Sequence, residues 1–364
     1  MITNILDEKN IIENTRVKKI IPMISPICML EMIPLTPKTK QTVYDTRNAI
    51  KKILNGEDDR VILICGPCSI HDVKSAYEYA KKLYTLAEKV KDNVLIIMRT
   101  YFEKPRTTYG WKGLINDPFL NDTCKINDGM SMARKLLLDI NTLGLPCGYE
   151  VLDTATPQYI SDLVSWAAVG ARTTESQVHR QLASGLSMPV GFKNGTRGSI
   201  DIAINAMISS QQKHFFLGIT KQGMIAVINT EGNEDTHIIL RGGADKPNYG
   251  EKFVREAVEG FKLLKLRPRI MIDCSHGNSG KDYRNQPKVL ENVCNQISYN
   301  HNICGVMIES NLVEGKQKLK LGKSDELVYG KSITDSCINF EETEILVMEL
   351  ADAQGRRSRP NKIN

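Results

Sequence analysis

The chain has 364 residues, 41% hydrophobic and 25% charged, with a mean hydropathy of -0.27. This excludes a disordered polymer and a disulfide mini-protein, and it leaves one decorated α/β barrel or two domains. The net charge of +6 does not make a nucleic-acid surface. Arg356, Arg357, Arg359 and Lys362 lie in the acid-free last nine residues and leave only +2 for the rest.

The chain opens on MITNILDEKN, acidic where a secretory signal is basic. The most apolar early stretch, 20–30, is too short to span a bilayer and holds Pro22 and Pro26. With nine scattered cysteines, an odd number, the expectation is reduced thiols in a cytoplasmic, non-membrane protein. Residues 1–60 form an extension with four prolines and a helix near 39–54. From residue 61, short β-branched runs end at polar or glycine-rich turns: 61–66, 94–100, 147–153, 167–172, 189–193, 237–241, 269–273 and 303–309. Helical periodicity fills 75–90, 130–143, 157–166, 174–186, 250–266 and 287–297. Eight strands alternating with helices predict an α/β fold, a (β/α)8 TIM barrel over 61–350. A β-hairpin is inserted at about 215–232, around Lys221-Gln222-Gly223, and a basic tail covers 351–364.

Barrel active sites form where strands end, and these exits are rich in reactive groups. Arg99, Arg172, Lys193 and Arg241, with Lys104 and Arg106 beyond the second strand, put several cations on one rim. They would repel one another unless anions neutralise them, so a strongly anionic substrate is expected. Amides of Thr173 and Thr174, read as the opening of a helix, and the small Gly195 add candidate phosphate contacts. Ion pairs with Glu175 or Asp201 are the alternative for single members of the rim. Glu150 and Asp153 sit at the third strand. Cys68, His276 and Glu309 offer a thiolate, an imidazole and a carboxylate on strands one, seven and eight, which are neighbours in a closed barrel. That set suits Mn, Fe, Co or Zn better than Mg or Ca. Asp335 is a candidate fourth ligand, with His71 and Asp273 as competitors.

The motifs GPCSIHD (66–72), MRTYFEKPRTTYGWKG (98–113), GARTTESQVHRQLASGLSMPVGFKNGT (170–196), HIILRGG (237–243), DCSHGNS (273–279), MIESNLVEG (307–315) and YGKSITD (329–335) resemble the type I 3-deoxy-D-arabino-heptulosonate 7-phosphate (DAHP) synthases nearly end to end. The resemblance implies a metal-dependent condensation of phosphoenolpyruvate with erythrose 4-phosphate, giving DAHP and phosphate at the entry to the shikimate pathway. It implies Cys68, His276, Glu309 and Asp335 as ligands of a divalent ion. It places Arg99, Lys104, Arg172, Lys193 and Arg241 about phosphoenolpyruvate, Arg106 and Thr107 towards erythrose 4-phosphate, and Glu150 and Ala171 among the substrate-binding residues. Lys104 becomes the candidate proton donor, with Cys68 and His276 beside the reacting centre. A synthase of octulosonate 8-phosphate and a non-catalytic, ligand-binding barrel are the rival readings. The KPRT loop argues against the first and Cys68 against the second.

The resemblance further implies a homodimer or homotetramer whose extension and hairpin form an inhibitor site for an aromatic amino acid. Matching by motif places Pro157, Gln158, Ser187, Phe216 and Gly218 around it. Relatives that sense phenylalanine tend to carry serine where Gly218 stands, so tyrosine is the expected inhibitor.

Overall fold

The computed structural model describes residues 12–106, 108 and 110–357. The expected site residue Thr107 and tail residues 358–364 lie outside them. Helices α1 (Pro26–Met32) and α2 (Pro37–Asn55) precede β1 (Val61–Gly66). There follow α3 (Val73–Val90), β2 (Val94–Arg99), α4 (Ile126–Leu143), β3 (Cys147–Val151), α5 (Thr156–Ile160), β4 (Trp166–Val169), α6 (Gln177–Ser184), β5 (Val190–Lys193) and α7 (Ile200–Ser210). A hairpin of β6 (His214–Ile219) and β7 (Ile225–Thr230) leads into β8 (Thr236–Leu240), α8 (Glu251–Leu263), β9 (Ile270–Asp273), α9 (Gln286–Ile297) and β10 (Ile303–Glu309). The short strands β11 (Val313–Lys316) and β12 (Lys331–Ser332) pair with each other, and α10 (Phe340–Gly355) comes last.

Strands β1, β2, β3, β4, β5, β8, β9 and β10 close into the expected parallel barrel, with β10 beside β1 and Glu309 opposite Gly66. Alternation along the strands separates two cores. Ile62 and Ile64 of β1 point into the barrel with Ile97, Trp166, Ile239, Met271 and Met307, whereas Val61, Leu63 and Cys65 face the helices. Ile50, Ile53 and Leu54 of α2 join the inner core, so the extension plugs one end of the barrel. Local rules fix α2: Thr36 and Thr39 form a capping box, Pro37 opens the first turn, and Gly56 ends it at φ 71°.

Three expectations need correction. The helix expected over 157–166 is α5 followed by a 3-10 turn at Ser161–Leu163. Trp166 opens β4 instead, because its ring is wholly buried in the barrel, with its indole N–H donating to His237 Nε2 at 3.3 Å. The helix expected from residue 174 begins only at Gln177, since the amides of Thr173 and Thr174 both donate to the Gly170 carbonyl in a tight turn. They are therefore unavailable to a phosphate. The basic tail is also partly structural: α10 runs past residue 350, and the Arg357 guanidinium donates to the carbonyls of Asn300 and Ile303. The helices α1, α7 and α10, and the β11–β12 pair, carried no signal that was read from the sequence.

Candidate active site

The closing of the barrel brings strand exits that are far apart in sequence to one end. Cys68 Sγ and carboxylate oxygens of Glu309 and Asp335 lie within 4.8 Å of one another. His276 lies at the edge of this group, with Nε2 3.7 Å from Glu309 Oε1 and Nδ1 2.8 Å from Asp273 Oδ2. Its φ of 53° is uncommon for a residue with a side chain and marks strain held by the surrounding loop. Hydroxyls tie the loops together: Ser69 Oγ meets Thr334 Oγ1 at 2.6 Å, and the Asp335 amide donates to Cys68 Sγ at 3.4 Å.

Glu309 is wholly buried and held on both oxygens. Arg99 donates to Oε1 at 2.9 Å and Ser275 to Oε2 at 2.7 Å. Gln286, itself fully buried, grips the same residue's backbone, donating to its carbonyl and accepting from its amide, both at 2.9 Å. The Arg99 Cζ stands 3.5 Å from the centre of the Tyr101 ring, and the guanidinium also donates to the carbonyls of Pro67 and Cys68. Lys104 Nζ donates to the Cys68 carbonyl at 3.1 Å. Lys193 Nζ stands 3.4 Å from Asp273 Oδ2 and 3.8 Å from Glu150 Oε2. The missing side chain of Gly170 makes room for Glu150, whose Oε1 lies 2.4 Å from where a Cβ would stand.

These contacts set the protonation states. Burial works against a charged Glu309, yet His276, Arg99 and Lys104 hold its carboxyl down at about 2. Burial is likewise overcome at Asp273 by His276 and Lys193, and at Glu150 by Lys193 and Lys104, so both carboxyls titrate below their usual range. Burial and Glu309 push the Cys68 thiol up. Lys104 is raised despite burial, by Cys68 when it is a thiolate and by the ionised Glu309 and Glu150, so it holds its proton at neutral pH.

Above this floor opens a cavity of about 920 Å³. Lys104, Arg106, Arg172, Lys193 and Arg241 line it, together with Glu150, Ala171, His276 and Asp335. Arg106 and Arg172 are exposed and Lys193 is buried. Arg99 belongs to the floor rather than the rim, being fully buried. Gly195 does not approach this space closely: its amide donates to Ser199, and a Cβ there would meet Ile202. The donor set of one thiolate, two carboxylates and one imidazole fits a borderline-soft divalent ion. The anionic groups beneath and cations around it suit a substrate that is negatively charged yet reacts near a metal.

Two neighbours of the site were not read from the sequence. Burial, with Asp153 close by, pushes the Glu103 carboxyl up to about 8. A glutamate before Lys104 gives no sign of this, because the burial comes from other segments. Cys337, whose Sγ accepts from the Cys68 amide at 3.4 Å, is the second.

The regulatory candidates lie around the hairpin. Lys221, in its turn, donates to the Gln158 carbonyl and accepts from the Ile27 amide, joining α5, α1 and the hairpin. Pro157 is buried and Ser187 exposed, in the link before β5. Phe216 and Gly218 stand on β6, paired with Ile228 and Ala226. The space beside Gly218 is not open, since Ile228 Cγ1 lies 2.7 Å from where a Cβ would stand. Phe215, Leu217, Ile225 and Val227 project from the hairpin into solvent.

Among the described residues, no helix is long and apolar enough to cross a membrane. The model of the DAHP synthetase I family matches residues 33–348. The Phe-sensitive phospho-2-dehydro-3-deoxyheptonate aldolase of Escherichia coli K12 is 54% identical over 94% of this chain and 97% of its own. The Tyr-sensitive enzyme of the same strain is 48% identical over 94% of this chain and 96% of its own. Among solved structures, a phospho-2-dehydro-3-deoxyheptonate aldolase from Francisella tularensis superposes with a TM-score of 0.92 at 48% identity, covering 94% of this chain and all of that one.

Proposed function

Since the chain belongs to the DAHP synthetase I family and is an enzyme of the first step of aromatic biosynthesis, we propose that it joins phosphoenolpyruvate to erythrose 4-phosphate with the help of a divalent metal ion. The observation that carries this reading is the cation-rimmed cavity directly above the Cys68, Glu309 and Asp335 cluster. C3 of phosphoenolpyruvate forms a bond to the aldehyde carbon, water adds at C2, and phosphate leaves with cleavage of its C–O bond. Cys68, His276, Glu309 and Asp335 would hold the ion, with Mn, Fe, Co and Zn as the candidates. When bound, it supplies Lewis-acid polarisation of the aldehyde.

The chain's own groups do the rest. Arg172, Lys193 and Arg241 bind phosphate oxygens as charge-assisted donors, while Arg99 and Lys104 face the carboxylate end from below. Arg106, with Thr107, receives the second substrate's phosphate. Lys104, protonated at neutral pH, gives a proton to the alkoxide as the new bond forms. Holding two anions together in attack geometry is the larger contribution of the rim.

Assays of phosphoenolpyruvate loss test this, with erythrose 4-phosphate or arabinose 5-phosphate as partner and with or without a chelator. Turnover with the four-carbon sugar alone, abolished by chelation, is expected. Preference for the five-carbon sugar would make it an octulosonate-type synthase, and no turnover would leave a binding barrel.

The hairpin and extension are proposed to bind an aromatic amino acid at a contact between copies in a cytoplasmic homodimer or homotetramer, the apolar outer face of the hairpin supporting such a contact. Tyrosine is the first inhibitor to test, because Gly218 has no side chain. Phenylalanine is the second, because Ile228 fills the space at Gly218 and a relative 54% identical is named Phe-sensitive.

A further inference from the structure

Three asparagines, Asn194, Asn248 and Asn278, come one each from the loops after β5, β8 and β9, and all are at least 95% buried. Their amides form one chain. Asn194 Oδ1 accepts from the Arg241 amide at 2.7 Å and from Asn248 Nδ2 at 3.1 Å. Its Nδ2 donates to the carbonyls of Gly195 at 2.8 Å and Gly242 at 3.1 Å. Asn248 Oδ1 accepts from the Gly242 amide, and its backbone amide donates to Asn278 Oδ1, both at 2.7 Å. Asn278 Nδ2 in turn donates to the carbonyls of Leu240 at 3.0 Å and Asp273 at 2.8 Å.

The residues at the ends of these bonds are those of the rim. Asn194 follows Lys193, and its partners bracket Arg241 on both sides. Asn278 fixes the residue that faces both Lys193 and His276. The backbones pack without side chains between them: at Gly242, with φ 79°, a Cβ would fall 2.4 Å from the Gly277 carbonyl carbon. Only a primary amide serves here, because each link must donate with one atom and accept with another. A carboxylate of the same shape loses the donors, leaves carbonyls unpaired and adds a negative charge beneath a phosphate-binding rim.

From this we infer that Asn194, Asn248 and Asn278 are positioning residues that set the spacing of Lys193 and Arg241 for one phosphate group. The inference rests on the proposed function, since the phosphate is that of phosphoenolpyruvate.

The test uses Asn194→Asp and Asn248→Asp in the metal-loaded full chain. Phosphoenolpyruvate affinity is read by calorimetry, KM by steady-state kinetics for each substrate, and melting temperature alongside. Affinity for phosphoenolpyruvate is expected to fall about tenfold or more, as loss of one or two charge-adjacent hydrogen bonds implies. KM for erythrose 4-phosphate stays within about twofold, since Arg106 is not tied to the chain of amides. In an Arg241→Ala background the aspartate at 194 should cost less than in the wild type, because only its route through Lys193 remains. Asn248→Ser, which keeps a donor and an acceptor, serves if the aspartate variants do not fold, with the same preferential loss for phosphoenolpyruvate expected. Unchanged phosphoenolpyruvate affinity in folded variants overturns the inference alone, as do equal losses for both substrates or full additivity with Arg241→Ala. Failure of the wild-type protein to bind phosphoenolpyruvate overturns the proposed function itself.

Discussion

The Arg99 guanidinium donates to Glu309 Oε1 at 2.9 Å, and neither side chain is exposed to solvent. A buried pair of this kind adds little over an apolar pair, but removing one member strands the other charge. Arg99→Met should therefore lower the unfolding free energy of the metal-free protein by about 3–5 kcal/mol. Arg99→Met combined with Glu309→Leu should recover part of that loss in urea denaturation. Equal stability of wild type and Arg99→Met would show that the pair is already hydrated in solution.

At the proposed metal site, binding should carry a proton cost through Cys68. Burial and Glu309 raise its thiol, so a thiolate ligand forms only when the ion displaces the proton. Metal affinity should rise with pH across the neutral range. In Cys68→Ser the pH dependence should flatten, and a folded but inactive protein should result. Equilibrium dialysis with Co or Mn at two pH values measures this. A Cys68→Ser protein with undiminished affinity and activity would remove Cys68 from the metal site.

The rim predicts separate losses. Lys193→Ala and Arg241→Ala should each weaken phosphoenolpyruvate binding by about 1.5–3 kcal/mol, the worth of a hydrogen bond to a charged group. Lys193→Ala should show a further effect in thermal melts, since it leaves Asp273 and Glu150 without their shared cation. Wild-type affinity in either variant contradicts the placement of the phosphate.

Regulation is tested at the hairpin. Titration of tyrosine, phenylalanine and tryptophan into the wild-type enzyme should reveal inhibition by tyrosine. Gly218→Ser should weaken it, because the new Cβ must displace Ile228 from a position 2.7 Å away. Inhibition by phenylalanine alone rejects the tyrosine assignment. Indifference to all three rejects the site.

Glu103 makes the fold itself sensitive to pH. Burial first, then Asp153, lifts its carboxyl to about 8. The folded state thus keeps a proton that the unfolded chain has lost, and stability falls as pH rises from the ordinary carboxyl range through about 8. The slope approaches 1.4 kcal/mol per pH unit at most, roughly the value for one proton. Glu103→Gln should flatten this part of the profile in melts between pH 5 and 9, conditions chosen to bracket the titration. An unchanged profile would mean that Glu103 is ionised in the folded protein.

The eight barrel strands were legible because each is a short apolar run bounded by turn residues, a signal carried wholly by neighbours in sequence. The chemistry at their ends was legible for a related reason. A charged residue closing a strand such as Val190–Lys193 lies at the end of the barrel where the cavity opens. What a short window misjudged were boundaries and partners. Trp166 carried the period of a helix, but packing with Ile62, Ile64, Ile97, Ile239 and Met307 in the barrel core places it in a strand. Thr173 and Thr174 had the composition of a helix start, but their amides were taken by a turn on Gly170.

Residue types and their order thus determined the barrel and which charged and metal-competent side chains close its strands, since these follow from local pattern and from side-chain chemistry. Tertiary structure alone decided which of those groups are buried. It placed Arg99 beneath the cavity instead of on its rim, raised Glu103, filled the space beside Gly218 with Ile228 and strung three asparagines under Lys193 and Arg241. Each depends on segments tens of residues apart meeting at distances of a few ångströms, and desolvation and hydrogen-bond pairing act only at that range.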